Sequence, residues 1–250
     1  MVDKNTQGII LDPWMHHYAD RSSGLSASEV RALFAVANRP EVVSLAGGMP
    51  YVRAISEERI KETLNRVIDE RGPEALQYGS GQGHPLLREQ IVQVMAKEGI
   101  SARPDDVVVT TGSQHGLDLV ARLFINPGDV VLAESPSYVG ALGVFRSYQA
   151  DVRHVAMDDD GIIPSALREA IDQARSEGKP IKMIYLIPNF QNPAGVTLSA
   201  ARRLEIIDIA HDAEILIVED NPYGLLWFDQ PAPPAMRAAG DKGIIYLGSF

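Results

Sequence analysis

Residues 184–223 read IYLIPNFQNPAGVTLSAARRLEIIDIAHDAEILIVEDNPY. An apolar β-branched run enters from Met183 and stops at Pro188-Asn-Phe-Gln-Asn-Pro-Ala-Gly195. A helical repeat follows around Leu204–Ala210, and Ile215–Glu219 is a second buried run. Strand, helix, strand in some forty residues is a βαβ unit, whose strands are parallel and covered on both faces. Two polar residues stand where the strands stop, Asn192 after the first and Asp220 at the tip of the second. An acid at the carboxyl end of a buried parallel strand is costly to bury. That sheet edge is also where open α/β folds receive ligands.

The same rhythm extends upstream. Val107–Thr111 reads as a buried strand, and a helix with Leu117, Val120, Ala121 and Phe124 inward follows it. Asn126-Pro-Gly-Asp129 turns into the strand Val130–Glu134, and Ser135-Pro-Ser-Tyr138 opens a helix through Phe145. Asp151–Val155 is extended, and Asp158-Asp-Asp-Gly161 is an acidic turn expected to be merely solvated. Leu167, Ile171 and Ala174 mark another helix, and the last strand is Gly243–Leu247. The predicted fold class is therefore α/β, a mostly parallel sheet flanked by helices on both faces, with right-handed crossovers.

The first third of the chain is less regular. Residues 1–25 carry breakers. Ser26-Ala-Ser-Glu29 reads as a capping box ahead of a helix with Val30, Leu33, Phe34 and Ala37 on one face, and Pro40 ends it. Ala46-Gly-Gly-Met-Pro50 is a tight turn whose glycines permit close approach of a ligand, or simply a turn. Residues 54–70 form an amphipathic helix with Ile60, Leu64 and Val67 or Ile68 inward. Gln77-Tyr-Gly-Ser-Gly-Gln-Gly83 is glycine-rich, but it follows a helix and lacks the Lys-Ser/Thr ending of a nucleotide loop, so nucleotide binding is rejected. Pro85 then takes the first turn of a helix.

Totals narrow the function. The 250 residues carry 33 acids against 23 Lys and Arg, a formal charge of -10. Such a surface repels nucleic acid and anionic lipid. With no Cys, disulfides and thiolate metal sites are impossible. The N-terminus lacks the basic head and apolar core of a signal peptide, and no apolar run approaches a membrane span, so the expectation is a cytoplasmic protein with neither nucleic-acid nor membrane partners.

Four strand ends then carry chemistry together. Gly112-Ser113-Gln114 opens a helix directly after a strand, where free N–H groups and the helix dipole favour an anion. Tyr138 follows the next strand and offers a flat ring. Asn192 offers an amide, and Asp220 and Tyr223 an acid and a phenol. Each has an ordinary reading alone: a cap, a core ring, a turn. An anion cradle, a stacking ring, a donor and a carboxylate at successive strand ends describe a planar phosphorylated heteroaromatic, pyridoxal phosphate. A carboxylate beside its pyridine nitrogen keeps that nitrogen protonated.

Val109-Thr-Thr-Gly-Ser-Gln-His-Gly-Leu117, Pro136-Ser-Tyr138, Pro188–Gly195, Glu219-Asp-Asn-Pro-Tyr223 and Tyr246-Leu-Gly-Ser-Phe250 resemble the class I/II aminotransferases of pyridoxal-phosphate fold type I. The flavour is that of the 2-aminoadipate and multi-substrate branch, which MocR-type regulators share. The resemblance runs from about Ser44 to Phe250. It implies transfer of an amino group between an amino acid and a 2-oxo acid. It implies that Gly112, Ser113, Gln114 and Ser249 bind phosphate, that Tyr138 stacks on the ring, and that Asn192 and Tyr223 bind the ring hydroxyl. Tyr78 would reach the phosphate of a neighbouring subunit in a homodimer, and Gly48 with Asn192 would line the substrate pocket. Residues 1–70 would be an N-terminal arm and part of a small domain otherwise missing, and 71–250 a large cofactor-binding domain, incomplete at its C-terminus. The family's Schiff-base lysine is expected just beyond Phe250, two positions on, so no catalytic lysine is assigned within the 250 residues. The alternatives are an inactive cofactor-binding fragment and an aminotransferase-like regulatory domain.

Overall fold

The computed structural model describes residues 13–24, 39, 41–43, 51–240 and 242–249. The expected capping box at Ser26, the helix to Ala37, the Ala46–Pro50 turn with Gly48, and Phe250 lie outside the described residues.

Helices α1 (Glu57–Ala75) and α2 (Pro85–Ala96) precede the alternating part. There follow α3 (Gly112–Phe124), β1 (Val130–Ser135), α4 (Val139–Ser147), β2 (Asp151–Asp158) and β3 (Gly161–Ile162). The chain continues with α5 (Pro164–Ser176), β4 (Ile181–Leu186), α6 (Ala200–Asp212), β5 (Leu216–Asn221) and β6 (Ile244–Gly248). The sheet order is β3-β2-β1-β4-β5-β6, parallel throughout except for the short β2–β3 pair.

Period-two alternation divides the strands between two cores. Val130, Leu132, Ile184 and Ile217 face α5 and α6, meeting Leu167, Ile171, Ile206 and Ile209. Val131, Met183, Tyr185 and Val218 face α3 and α4, meeting Leu117, Val120, Ala121 and Phe145. Central strands buried on both faces explain the continuous apolar runs. Asp220, two residues after Val218, points to the α3–α4 side.

Four expectations need correction. Phe124 on α3, expected inward, is 37% exposed. Val107–Thr111 joins no sheet among the described residues; Val109 N–H instead donates to Gln82 O at 2.9 Å. Its β-branched run supplies propensity, but a strand also needs a neighbour, and β6 is the sheet's edge. The expected inward face of the helix predicted at 54–70 is exposed: Leu64 on α1 is 60% accessible, and Ile60, Val67 and Ile68 are also exposed. Amphipathic period reports what a helix can bury, not what covers it. Finally, the acidic turn is not simply solvated. Arg202, in the first turn of α6, ion-pairs with Asp158 and, at 3.8 Å, with Asp160. There β2 folds back onto β3, with Gly161 at φ +99° against Leu198.

Candidate active site

The carboxyl ends of β1, β4, β5 and β6 converge on one edge. Parallel register places Asp220 beside Leu247 and Asn221 beside Gly248, and it sets Leu186 against Glu219. Asp220 thus lies at a strand end, Tyr138 and Asn192 lie in the segments that follow β1 and β4, and Gly112 follows the unpaired 107–111 segment.

Asp220 is the most confined of them, 3% exposed. Its Oδ2 accepts a hydrogen bond from the Tyr185 hydroxyl at 2.7 Å. Its Oδ1 is buried without a partner. Burial pushes the carboxyl up to about 6, and the Tyr185 bond pulls the other way. An acceptor left unsatisfied in a buried place is costly, so this oxygen calls for a donor.

Tyr138 is the N-cap residue of α4 rather than part of a helix begun at Ser135. Its ring lies so close to Gly140 that a Cβ there would sit 2.5 Å from it. Burial raises its phenol pKa, with the charges of Asp220 and Tyr223 adding to the effect. Asn192 Nδ2 reaches the Tyr223 hydroxyl at 3.4 Å, and both side chains are half-buried. Asp220, Tyr138, Asn192 and Tyr223 therefore form one cluster.

The predicted phosphate residues lie around the start of α3. Gly112 adopts φ +76° with open space around its absent Cβ. Thr111 gives the helix no side-chain cap, so the first-turn N–H groups have no such partner. Gly112, Ser113 and Ser249 share a cavity of about 240 Å³ with Thr110, Asn221 and Tyr246, between the 107–110 segment and β6. Gln114 does not line that cavity; its Nε2 donates to Gly140 O at 3.2 Å. Tyr78 is not brought into the site: it is 99% exposed. Gly48 is not described.

Sequence reading missed the polar groups that hold this edge in shape. Glu134, 1% exposed at the end of β1, accepts from Ile187 N at 2.9 Å and from Gln191 Nε2 at 3.2 Å. Gln191 Nε2 also donates to Pro136 O at 2.8 Å, tying the Asn192 loop to the segment that leads to Tyr138. Burial pushes Glu134 up to about 8 against those two donors, with Asp220's charge adding slightly. Below the loop, Arg203 donates to Leu198 O, Pro188 O, Pro233 O, Pro234 O and Asn189 Oδ1. Asn189 in turn donates to Asn221 Oδ1, whose Nδ2 reaches Glu98 and Tyr246. The signal for Glu134 was present in the sequence: it ends a predicted strand, as Asp220 nearly does.

Residues 40–250 match the family model described as Aminotransferase class I and II. The chain belongs to that family. Aromatic-amino-acid aminotransferase 1 of Thermococcus litoralis is 37% identical over 236 residues, covering 94% of this chain and 57% of that protein. The 2-aminoadipate transaminase of Thermus thermophilus is 34% identical over 241 residues, covering 95% and 58%. The crystal structure of Pyrococcus horikoshii kynurenine aminotransferase, solved in complex with PMP, superposes with a TM-score of 0.87 at 35% identity, covering 96% of this chain and 60% of that one. The chain thus spans somewhat under two thirds of the length of these relatives. The family is pyridoxal-phosphate-dependent, and the residues here fit that group: an orphaned buried acid for the ring nitrogen, a neighbouring ring, and a helix start with uncapped N–H groups. Among the described residues no helix is long and apolar enough to cross a membrane.

Proposed function

We propose that this chain supplies the cofactor-binding body of an aminotransferase that moves an amino group between an amino acid and a 2-oxo acid. The observation that carries this reading is the buried Asp220, whose Oδ1 has no partner among the described residues. When bound, pyridoxal phosphate supplies an electron sink for the bonds at the substrate α-carbon, provided its ring nitrogen is protonated. Asp220 would hold that proton at the nitrogen. Tyr138 would cover the ring face and exclude water from it. Asn192 and Tyr223 would hold the ring hydroxyl, while Gly112, Ser113, the Gln114 backbone and Ser249 would bind the phosphate. Asn192, with Gly48, would also border the substrate.

The same reading includes a homodimer. Tyr78, exposed at 99%, would find its role at the phosphate of the neighbouring subunit. The uncovered apolar face of α1 supports contact with further protein surface. It also includes a division into an N-terminal arm with part of a small domain, residues 1–70, and a large domain from 71, and a cytoplasmic setting.

The test is Asp220→Ala in the full-length gene product, assayed for amino transfer and for binding of added pyridoxal phosphate. Turnover should be abolished while some phosphate-anchored binding persists. Survival of kcat within about tenfold of the parent would overturn the assignment.

A further inference from the structure

Tyr185 has no place in the roles above, yet its position is unusual. It is fully buried on β4, in register with Val218 and so on the same face as Asp220 one strand away. Its ring packs edge-on against Phe145, with centroids 5.4 Å apart and planes at 73°. A phenylalanine would fill that space equally well. A buried hydroxyl is unfavourable unless it is bonded, and this one has a single bond, 2.7 Å to Asp220 Oδ2. Among the described residues Tyr185 is the one donor to Asp220, whose other oxygen has no partner. The other titratable groups facing Asp220 are Glu134 from β1, Tyr138 at the start of α4 and Tyr223 beyond β5. None of them donates to the carboxylate.

Resting on the reading that the cofactor's ring nitrogen meets Asp220, we propose that Tyr185 is the positioning residue for this carboxylate. Its hydroxyl engages Oδ2, fixes the carboxyl plane and leaves Oδ1 as the acceptor for the ring N–H. Two consequences follow. The bond favours the ionised carboxylate that a protonated ring requires. It also removes the carboxyl rotation that would otherwise be frozen only when the ligand arrives.

The experiment is a double-mutant cycle in the full-length protein: parent, Tyr185→Phe, Asp220→Ala and the double variant. The dissociation constant of pyridoxal phosphate is measured by fluorescence as a function of pH. Tyr185→Phe keeps the Phe145 contact and removes only the hydroxyl. On the acid side it should weaken binding about tenfold, because the limb where Asp220 must lose its proton moves up by about one pH unit. In the Asp220→Ala background the same substitution should change affinity by less than about twofold. An equal loss in both backgrounds would show a structural role and overturn the proposal, as would an unshifted acid limb. If Asp220→Ala itself leaves affinity unchanged, the cofactor-site reading fails instead. Should Tyr185→Phe not fold, 3-fluorotyrosine at position 185 tests the same bond in the opposite sense. Its more acidic hydroxyl should move the acid limb down, and no movement would again overturn the proposal.

Discussion

Glu134→Gln separates a buried neutral strut from a buried charge. In the folded chain Glu134 is 1% exposed, and burial pushes its carboxyl from 4.5 to about 8. The sign follows from which state holds the proton. Below pH 4.5 both folded and unfolded chains carry it, and the acid costs nothing. Between 4.5 and about 8 the unfolded chain loses its proton while the folded chain keeps it, so stability falls as pH rises. The slope is about 1.4 kcal/mol per pH unit, and the whole interval amounts to something on the order of 5 kcal/mol. Glutamine never ionises, and its amide oxygen keeps the acceptor that Ile187 N and Gln191 Nε2 require. The assay is urea unfolding of cofactor-free protein at several pH values across the interval. The variant should gain on the parent by about 1.4 kcal/mol for each unit of pH inside that interval. Asp220 and Glu219, raised to about 6 and about 7, slope the same way in both proteins and cancel in the comparison. Parallel profiles would refute the buried neutral acid.

Gly83→Ala should lower stability by about 1–3 kcal/mol in thermal unfolding, because φ is +102° and the new Cβ would meet Val109 Cγ2 at 2.4 Å. Arg203→Lys should cost about 2–4 kcal/mol in urea, since one ammonium cannot serve five acceptors spread over the loops around Pro188, Leu198 and Pro234. Arg202→Gln should flatten the acid limb of the melting profile. The Arg202 guanidinium holds Asp158 below the usual carboxylate range, so that contribution is present above the ordinary value and lost as pH falls through the lowered one.

The fold was legible because burial on both sheet faces writes itself as uninterrupted apolar runs at Val130, Met183 and Leu216, separated by helical repeats with Leu117, Leu167 and Ile206 inward. Pairing was not legible where it depends on a neighbour. Val107–Thr111 has the composition of a strand and no adjacent strand among the described residues, and α1 has an apolar stripe that nothing described covers. The acidic turn misled for a related reason: its partner, Arg202, lies 44 residues away from Asp158. Candidate site residues after the strands could be nominated because polarity after an apolar run is a local signal. Tyr185, Gln191 and Arg203 were missed because each reads locally as core, turn or helix surface.

The two buried carboxylates of the site show where sequence reasoning stops and geometry decides. Glu134 and Asp220 both sit at the carboxyl ends of parallel strands, yet the sequence reading singles out Asp220 alone. Their hydrogen bonds separate them. Glu134 is answered by Ile187 N and Gln191 Nε2, protein groups that hold the Asn192 loop in place. Asp220 has one oxygen answered by Tyr185 and one answered by nothing. Burial raises the proton affinity of both, to about 8 for Glu134 and about 6 for Asp220, against the pull of their donors. Near neutral pH Glu134 therefore keeps its proton and acts as an uncharged bracket, while Asp220 is largely ionised. A single negative charge, rather than two, then faces the place where a protonated ring would sit. Charging Glu134 as well would raise Asp220's hold on its own proton and weaken its preference for that ring. The unanswered oxygen, not the mere presence of an acid, is what nominates Asp220 over Glu134 for the proposed ligand contact.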